Sequence, residues 1–357
     1  MKHNKLALVM IVRNEEIKLP RCLQSAAPYV DEIIVVDTGS NDGTKALAEG
    51  FGARVFDYEW NNHFGDARNY ALDQSTADWN LILDADEWIT EIDMQVLKRF
   101  MLEGDALGRI QILSETEEQG EKGISRGFIT RLLTSDVRFK GRIHEQADTD
   151  LKRVNVPITV HHDGYRNTDK SGRNIPLLLS EVEQSPDDSY TNYQLGKEYQ
   201  GIGQFDTACI YYERAYTCLH GLERYAPNVT VQYLYALKET KRFEEALRII
   251  GARHDWLERF PDYHFACGIF YLDLILSNPD AYAALLPEIE AAYRRCLAIG
   301  ETDQYDSSAG MGSYMAQYNL GVYYEISGRT KEAAACYNEA SLHGYGKAKE
   351  RLRNLQI

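Results

Sequence analysis

The 357-residue sequence has no C-x-x-C pair; its six cysteines, at positions 22, 209, 218, 267, 296 and 336, are scattered. That spacing excludes a zinc ribbon, a redox dithiol and a small disulfide scaffold, and it predicts reduced thiols that mostly fill cores. Long apolar runs are missing too. A spanning helix needs roughly 18 to 20 apolar residues, whereas GIFYLDLIL is broken by Asp273. The N-terminal LALVMIV runs into Arg13, Asn14 and two glutamates rather than a small-residue cleavage site. A soluble, cytoplasmic protein with no membrane span is expected. Basic excess is also lacking: a formal net charge of -15 speaks against a nucleic-acid surface and leaves room for one basic pocket for a phosphorylated small molecule. The glycine-rich DTGSNDGT, Asp37 to Thr44, has neither the G-x-G-x-x-G nor the G-x-x-x-x-G-K-[ST] pattern, so dinucleotide dehydrogenase and P-loop readings lose their main support.

What is present is ordinary globular composition, 44% hydrophobic and 26% charged, long enough for two or three domains. From Leu6 to Leu83 short apolar blocks (LALVMIV, EIIVVD, ARVFDY) alternate with helical stretches around Ile17 to Ala27 and in GTKALAEGFG. Continuous rather than alternating apolar strands indicate a mainly parallel α/β sheet covered on both faces. Between 104 and 175, GRIQIL, GFITRLL, VRFKGRIHE and VPITVHHDGY read as further strands.

Beyond about residue 176 the pattern changes to tyrosine- and alanine-rich helices with an internal repeat. NYQLGKEYQGIGQFDTACIYYERA (192 to 215) aligns without gaps on QYNLGVYYEISGRTKEAAACYNEA (317 to 340). Leu195, Gly196, Tyr199, Gly203, Ala208, Tyr212 and Ala215 fall on Leu320, Gly321, Tyr324, Gly328, Ala333, Tyr337 and Ala340. The spacing resembles the tetratricopeptide repeat, in which small residues let paired helices approach and aromatics fill the space between neighbours. Residues 234 to 250 and 264 to 298 fit two more degenerate units. The expected division is therefore an α/β domain over 1–175 and an all-α tetratricopeptide-like domain over 176–357.

The stretch LILDADEW, Leu81 to Trp88, sets carboxylates behind a buried strand. Asp84 and Asp86, two apart at its carboxyl end, suit oxygen-coordinated Mg²⁺ or Mn²⁺, with waters and substrate phosphates completing the shell. Asn14 and Glu15 end the first strand, Asp37 ends the second, and Asp66 and Arg68 precede the acidic one. Together these residues resemble the nucleotide-sugar-binding domain of inverting family-2-type glycosyltransferases of the GT-A fold, over roughly residues 5 to 165. The resemblance implies that Asp37 accepts from the uracil N3–H, that Arg68 packs near the base or diphosphate, and that Asp84 lies near the ribose. It further implies that Asp86 ligates the metal, that Asn14 and Glu15 line the nucleoside pocket, and that Asp66 belongs to the same site.

KGRIHEQ (Arg142, His144, Glu145) and VHHDGY (His161, His162, Asp163) resemble the paired motifs of the sublancin-type peptide glycosyltransferases of bacilli, which also carry helical repeats. That likeness implies Glu145 as general base with Asp163 in reserve, His162 as an additional metal ligand, a homodimer, and a UDP-sugar donor. The acceptor it implies is a Ser, Thr or Cys side chain of a peptide or protein, for which a stacked helical array offers an extended surface. Two other classes compete. A sugar nucleotidyltransferase opens with a glycine-rich basic loop where this chain has VRNEE, and a non-catalytic tetratricopeptide adaptor has no use for intact Asp84 and Asp86.

Overall fold

Alternate residues of the first strand enter different cores. In β1 (Leu6–Val12) the side chains of Leu6, Leu8, Met10 and Val12 join one apolar cluster while Ala7 and Val9 join another. A two-residue side-chain period on a sheet packed on both faces requires this. The computed structural model describes residues 4–118, 121–162, 170–221, 223–252, 254–302 and 304–355, with backbone alone at 115–118 and 121–126. The chain divides into two compact units, Met1–Leu177 and Leu178–Ile357.

In the first unit β1, β2 (Glu32–Asp37), β3 (Arg54–Asp57) and β4 (Trp79–Ile82) lie parallel in the order β3-β2-β1-β4. They are connected through α1 (Leu19–Ala26), α2 (Thr44–Gly50) and α3 (Phe64–Asp73). All carboxyl ends of these strands therefore fall on one edge, where open α/β sheets bind ligands.

The sheet continues as a mixed one. After β5 (Glu87–Ile92) and α4 (Met94–Glu103) come β6 (Ala106–Glu118), β7 (Glu121–Thr134), a small pair β8 (Phe139–Lys140) and β9 (Gln146–Ala147), and β10 (Lys152–His162). The order runs on as β4-β7-β6-β10-β5, with β7 antiparallel to β4 and β6, β10 parallel to β6, and β5 antiparallel to β10. Only residues 119–120 separate β6 from β7, and so short a connection permits antiparallel pairing alone. Parallelism thus holds for the first four strands and lapses beyond them. VRFKGRIHE also departs from the strand expected of it beyond Phe139–Lys140, because Gly141 (φ 97°) and His144 (φ 53°) take left-handed conformations and residues 141–144 bend. The strand β5, by contrast, grows from residues that read as the end of an acidic turn.

Helix α5 (Ser171–Gln184) leads to the second unit, which is all helix. Its members are α6 (Ser189–Gly201), α7 (Phe205–Thr217), α8 (Ala226–Glu239), α9 (Phe243–Gly251), α10 (Pro261–Ser277), the short α11 (Pro279–Tyr282), α12 (Leu286–Ile299), α13 (Tyr314–Ile326), α14 (Thr330–Leu342) and α15 (Gly346–Asn354). The gapless repeat becomes two equivalent helix pairs, α6–α7 and α13–α14. In each, a glycine lets a tyrosine ring of the partner helix lie on the backbone: a Cβ on Gly196 would come within 2.5 Å of Tyr212, and one on Gly321 within 2.7 Å of Tyr337. Gly268 and Tyr293 repeat the contact between α10 and α12 at 2.7 Å, with α11 as the insertion that stretches the period. The hydroxyls are also matched, Tyr212 donating to Gln200 and Tyr337 to Glu325. Among the described residues all six cysteines are free, and all but Cys218 are buried.

The lock makes a prediction. Gly321→Ala drives a methyl into a ring that is fully buried, and overpacking of this kind costs about 1–3 kcal/mol. Urea unfolding followed by far-UV circular dichroism should show that loss, whereas Gly346→Ala, with no atom within 4 Å of the added Cβ, should not.

Candidate active site

The ends of β1 and β2 are zipped together by side chains. Asn14 sits at φ 55°, a left-handed conformation that asparagine tolerates better than most residues, and its Oδ1 accepts from the Asn41 N–H at 2.8 Å. Its own N–H donates to Ser40 Oγ, and the Glu15 N–H donates to Thr44 Oγ1, both at 2.8 Å. Asp42 accepts from the Thr44 N–H at 3.0 Å, so the DTGSNDGT loop closes on itself just before α2. Asp37 is 1% exposed. Its Oδ1 accepts from the N–H groups of Gly39 (3.0 Å) and Ser40 (2.8 Å), an arrangement that needs the positive φ of Gly39. The other oxygen, Oδ2, is buried with no hydrogen-bond partner among the described residues. A buried unpaired carboxylate oxygen is costly, and this one has the capacity to accept a further hydrogen bond.

The acidic turn between β4 and β5 has two sides. On one side Asp84 Oδ1 accepts from Arg68 Nη2 at 2.8 Å and Oδ2 accepts from Arg131 Nη2 at 2.9 Å. Burial works against its charge, but Arg131 and Arg68 hold the carboxyl far below the usual carboxylate range. Arg68, only 7% exposed, also donates through Nε to Glu145. It does not pair with Asp66; that residue lies exposed in the first turn of α3, accepting from Asn61, while its N–H donates to the His63 cap. Arg131 reaches Glu87 at 3.3 Å as well, and Glu87 returns to the turn by accepting from the Asp84 N–H at 2.8 Å. Burial pushes the Glu87 carboxyl up, with Arg131 opposing and Asp84 reinforcing the shift.

On the other side, Asp86 Oδ2 lies 3.6 Å from His162 Nε2 and 3.5 Å from Lys18 Nζ. His162 ends β10 at the same sheet edge, cross-strand from Glu87, with Ser114 Oγ 3.3 Å from its Nδ1. Burial favours the neutral forms of both groups; their mutual contact overcomes it, lowering the Asp86 carboxyl and raising the His162 imidazolium. Glu15 is raised by burial and then by the charge of Asp86, which places a second carboxylate on this side. Among the described residues no group of three or more His, Cys, Asp or Glu side chains is arranged to hold a metal ion. The Asp86–His162 pair still fits Mg²⁺ or Mn²⁺, whose sites keep one or two protein ligands and leave other positions to water and phosphate.

The structure therefore brings Asn14, Glu15, Asp37, Arg68, Asp84, Asp86, Glu145 and His162 to one edge of the sheet, leaves Asp66 at its exposed margin, and does not describe Asp163. Sequence reasoning passed over Arg131, Glu87 and Lys18. An arginine inside the apolar strand GFITRLL was the available signal for the first, since buried strand positions rarely hold an unpaired charge.

Residues 7–164 match the family model described as Glycosyl transferase family 2. A TPR repeat-containing protein of Synechococcus elongatus is 34% identical over 210 residues, 54% of this chain and 51% of that one. The SPbeta prophage-derived glycosyltransferase SunS of Bacillus subtilis is 25% identical over 219 residues, 58% of this chain and 52% of its own length. An uncharacterized glycosyltransferase of Rickettsia felis is 37% identical over 87 residues, 24% of this chain and 30% of that one. The chain thus spans about half the length, or less, of the curated relatives it matches. No described helix is long and apolar enough to cross a membrane. Parallel strands whose carboxyl ends carry the acidic residues, and a family match that runs over nearly all of that unit, make the N-terminal part of this chain similar to the family 2 glycosyl transferases.

Proposed function

We propose that the chain transfers a sugar from a UDP-sugar to a Ser, Thr or Cys side chain of a peptide or protein, with inversion and with a divalent ion, 1–175 acting as catalytic domain and 176–357 as the acceptor-recognising one. The observation that carries this reading is the Asp86–His162 pair, 3.6 Å apart at the carboxyl edge of the sheet with Glu15 in its field. When bound there, Mn²⁺ or Mg²⁺ stabilises the negative charge that develops on the departing diphosphate.

The chain's own residues divide the remaining work. Asp37 Oδ2 accepts from the uracil N3–H. Asn14 and Glu15 wall the nucleoside pocket through the turn pinned by Ser40 and Thr44, and Asp84 meets the ribose. Arg68 has Nε and Nη2 committed to carboxylates, so it acts by fixing Asp84 and Glu145 beside the diphosphate rather than as a loose clamp. Glu145, held by Arg68, takes the acceptor proton, with Asp163 in reserve. Asp66 is retained at the margin of the donor site.

Isothermal titration with UDP in the presence and absence of Mn²⁺ tests the donor site, and metal-independent UDP binding, or none, overturns the reading. Mass spectrometry of peptides incubated with the protein and a panel of UDP-sugars tests transfer. Glu145→Gln is expected to lower that transfer about 100-fold or more, the usual scale of a general base, while UDP–Mn²⁺ binding stays within about twofold in the same calorimeter.

A further inference from the structure

The segment between α12 and α13 lies on its own helical unit in the manner of a bound peptide. The Gln304 carbonyl accepts from Arg224 Nη2 at 3.0 Å, and two residues on the Asp306 carbonyl accepts from Asn228 Nδ2 at 2.6 Å. Arg224 stands just before α8 and Asn228 in its first turn. Between these contacts the Tyr305 ring meets Phe260 edge-on, with centroids 5.3 Å apart. Asp262, in the first turn of α10 and 6% exposed, accepts from Ser307 Oγ at 2.5 Å and from the Ser308 N–H at 2.9 Å.

The Asp306 carboxylate acts electrostatically on Lys197 and Tyr193 of α6, whose own ammonium-to-ring distance is 5.5 Å. By area Lys197 is exposed, and desolvation by neighbouring atoms depresses its pKa.

Each contact has a distinct role in recognition. Side-chain donors on carbonyls two residues apart hold a backbone whatever its sequence, while sites for successive side chains supply selectivity. Asp262 is the most demanding of these sites. A carboxylate this buried must be given hydrogen-bond donors, and an occupant offering neither a hydroxyl nor an N–H there leaves it unsatisfied. Lys197 asks in turn for an acidic residue, and Phe260 for a ring.

We propose that this face, formed by α6 and the starts of α8 and α10, docks a peptide of another protein with an aromatic–acidic–hydroxyl sequence, and that Tyr305-Asp306-Ser307 covers it until such a peptide takes its place. The inference rests on the helical unit alone and not on glycosyl transfer. A tethered occupant competes at an effective concentration of about millimolar, so a free peptide sees a much weakened site while the strap is in place.

Fluorescence anisotropy of a labelled TDQYDSSAG peptide on the full chain gives the test. The variant Tyr305→Ala/Asp306→Ala/Ser307→Ala is expected to bind it at least tenfold more tightly than the natural sequence. Adding Lys197→Glu and Asn228→Ala to that variant is expected to remove at least that gain, and a scrambled peptide is expected not to bind. Equal binding to strap variant and natural sequence, or indifference to Lys197 and Asn228, overturns the proposal. Should circular dichroism show the strap variant misfolded, hydrogen exchange on the natural chain decides: excess peptide must speed exchange at 304–308, and unchanged exchange overturns it. UDP titration of the same samples reports the donor site separately, so either proposal can fail without the other.

Discussion

Asp86→Ala is expected to weaken Mn²⁺-dependent UDP binding at least 100-fold in calorimetry and to lower sugar transfer about 100- to 1000-fold, with little loss of stability. Ligation and charge stabilisation by a divalent ion contribute several kcal/mol to a reaction of this kind, and each 1.36 kcal/mol is a factor of ten. Asp86 is the carboxylate on the arginine-free side of the turn, facing His162 and Lys18. Its removal strands no buried cation, because Lys18 retains much of its contact with water. His162→Ala removes the second donor and is expected to act in the same direction with a smaller effect, since the carboxylate and the phosphates remain. Asp66→Ala is the control; at the exposed margin it should change UDP affinity by less than about threefold, the scale of a surface contact. An Asp86→Ala protein that binds UDP and Mn²⁺ as well as the natural one would remove the metal from the account of this site.

What could be read in the sequence was whatever strand ends determine locally. Asn14, Glu15, Asp37 and Asp86 follow apolar runs directly, so a parallel sheet brings them to one edge wherever its strands fall in order, and His162 joins them because β10 runs parallel to β6 and ends there. The helical repeat was legible for a related reason, as small residues and tyrosines recur at fixed offsets that two packed helices require. Pairings across long separations were not legible. Arg131 meets Asp84 and Glu87 from 47 and 44 residues away, and Arg68 meets Glu145 from 77. Nothing in GFITRLL says which carboxylate its arginine will find. Likewise ETDQYDSSAG reads as a polar linker, and only the fold lays it against Asp262.

Arg131→Met is expected to be the most destabilising single change in the first unit, about 3–5 kcal/mol at pH 7, the scale of breaking a buried ion pair by deleting one partner. Most of that cost arises at Glu87, which is 4% exposed and loses its arginine partner; Asp84, with 36% of its side chain exposed, recovers part of its solvation and keeps Arg68. The sign of the pH dependence follows from Glu87. Its carboxyl already sits above the usual range through burial, and losing Arg131 raises it further. A group whose folded pKa exceeds its unfolded one stabilises the fold below the unfolded pKa and loses that contribution as pH rises through the folded value. The penalty of Arg131→Met should therefore shrink as pH is lowered and Glu87 takes up a proton, and grow as pH rises and Glu87 ionises. Pairing the substitution with Glu87→Gln should recover a large part of the loss at pH 7 and flatten the pH profile, because a neutral amide is left in place of an unpaired charge. Tryptophan fluorescence during urea unfolding reads the first unit preferentially, since Trp60, Trp79 and Trp88 lie in it and only Trp256 lies in the second. A loss below about 1 kcal/mol, or one indifferent to both pH and Glu87→Gln, would mean that Arg131 is solvated in place and that the acidic turn is held by Arg68 and the backbone alone.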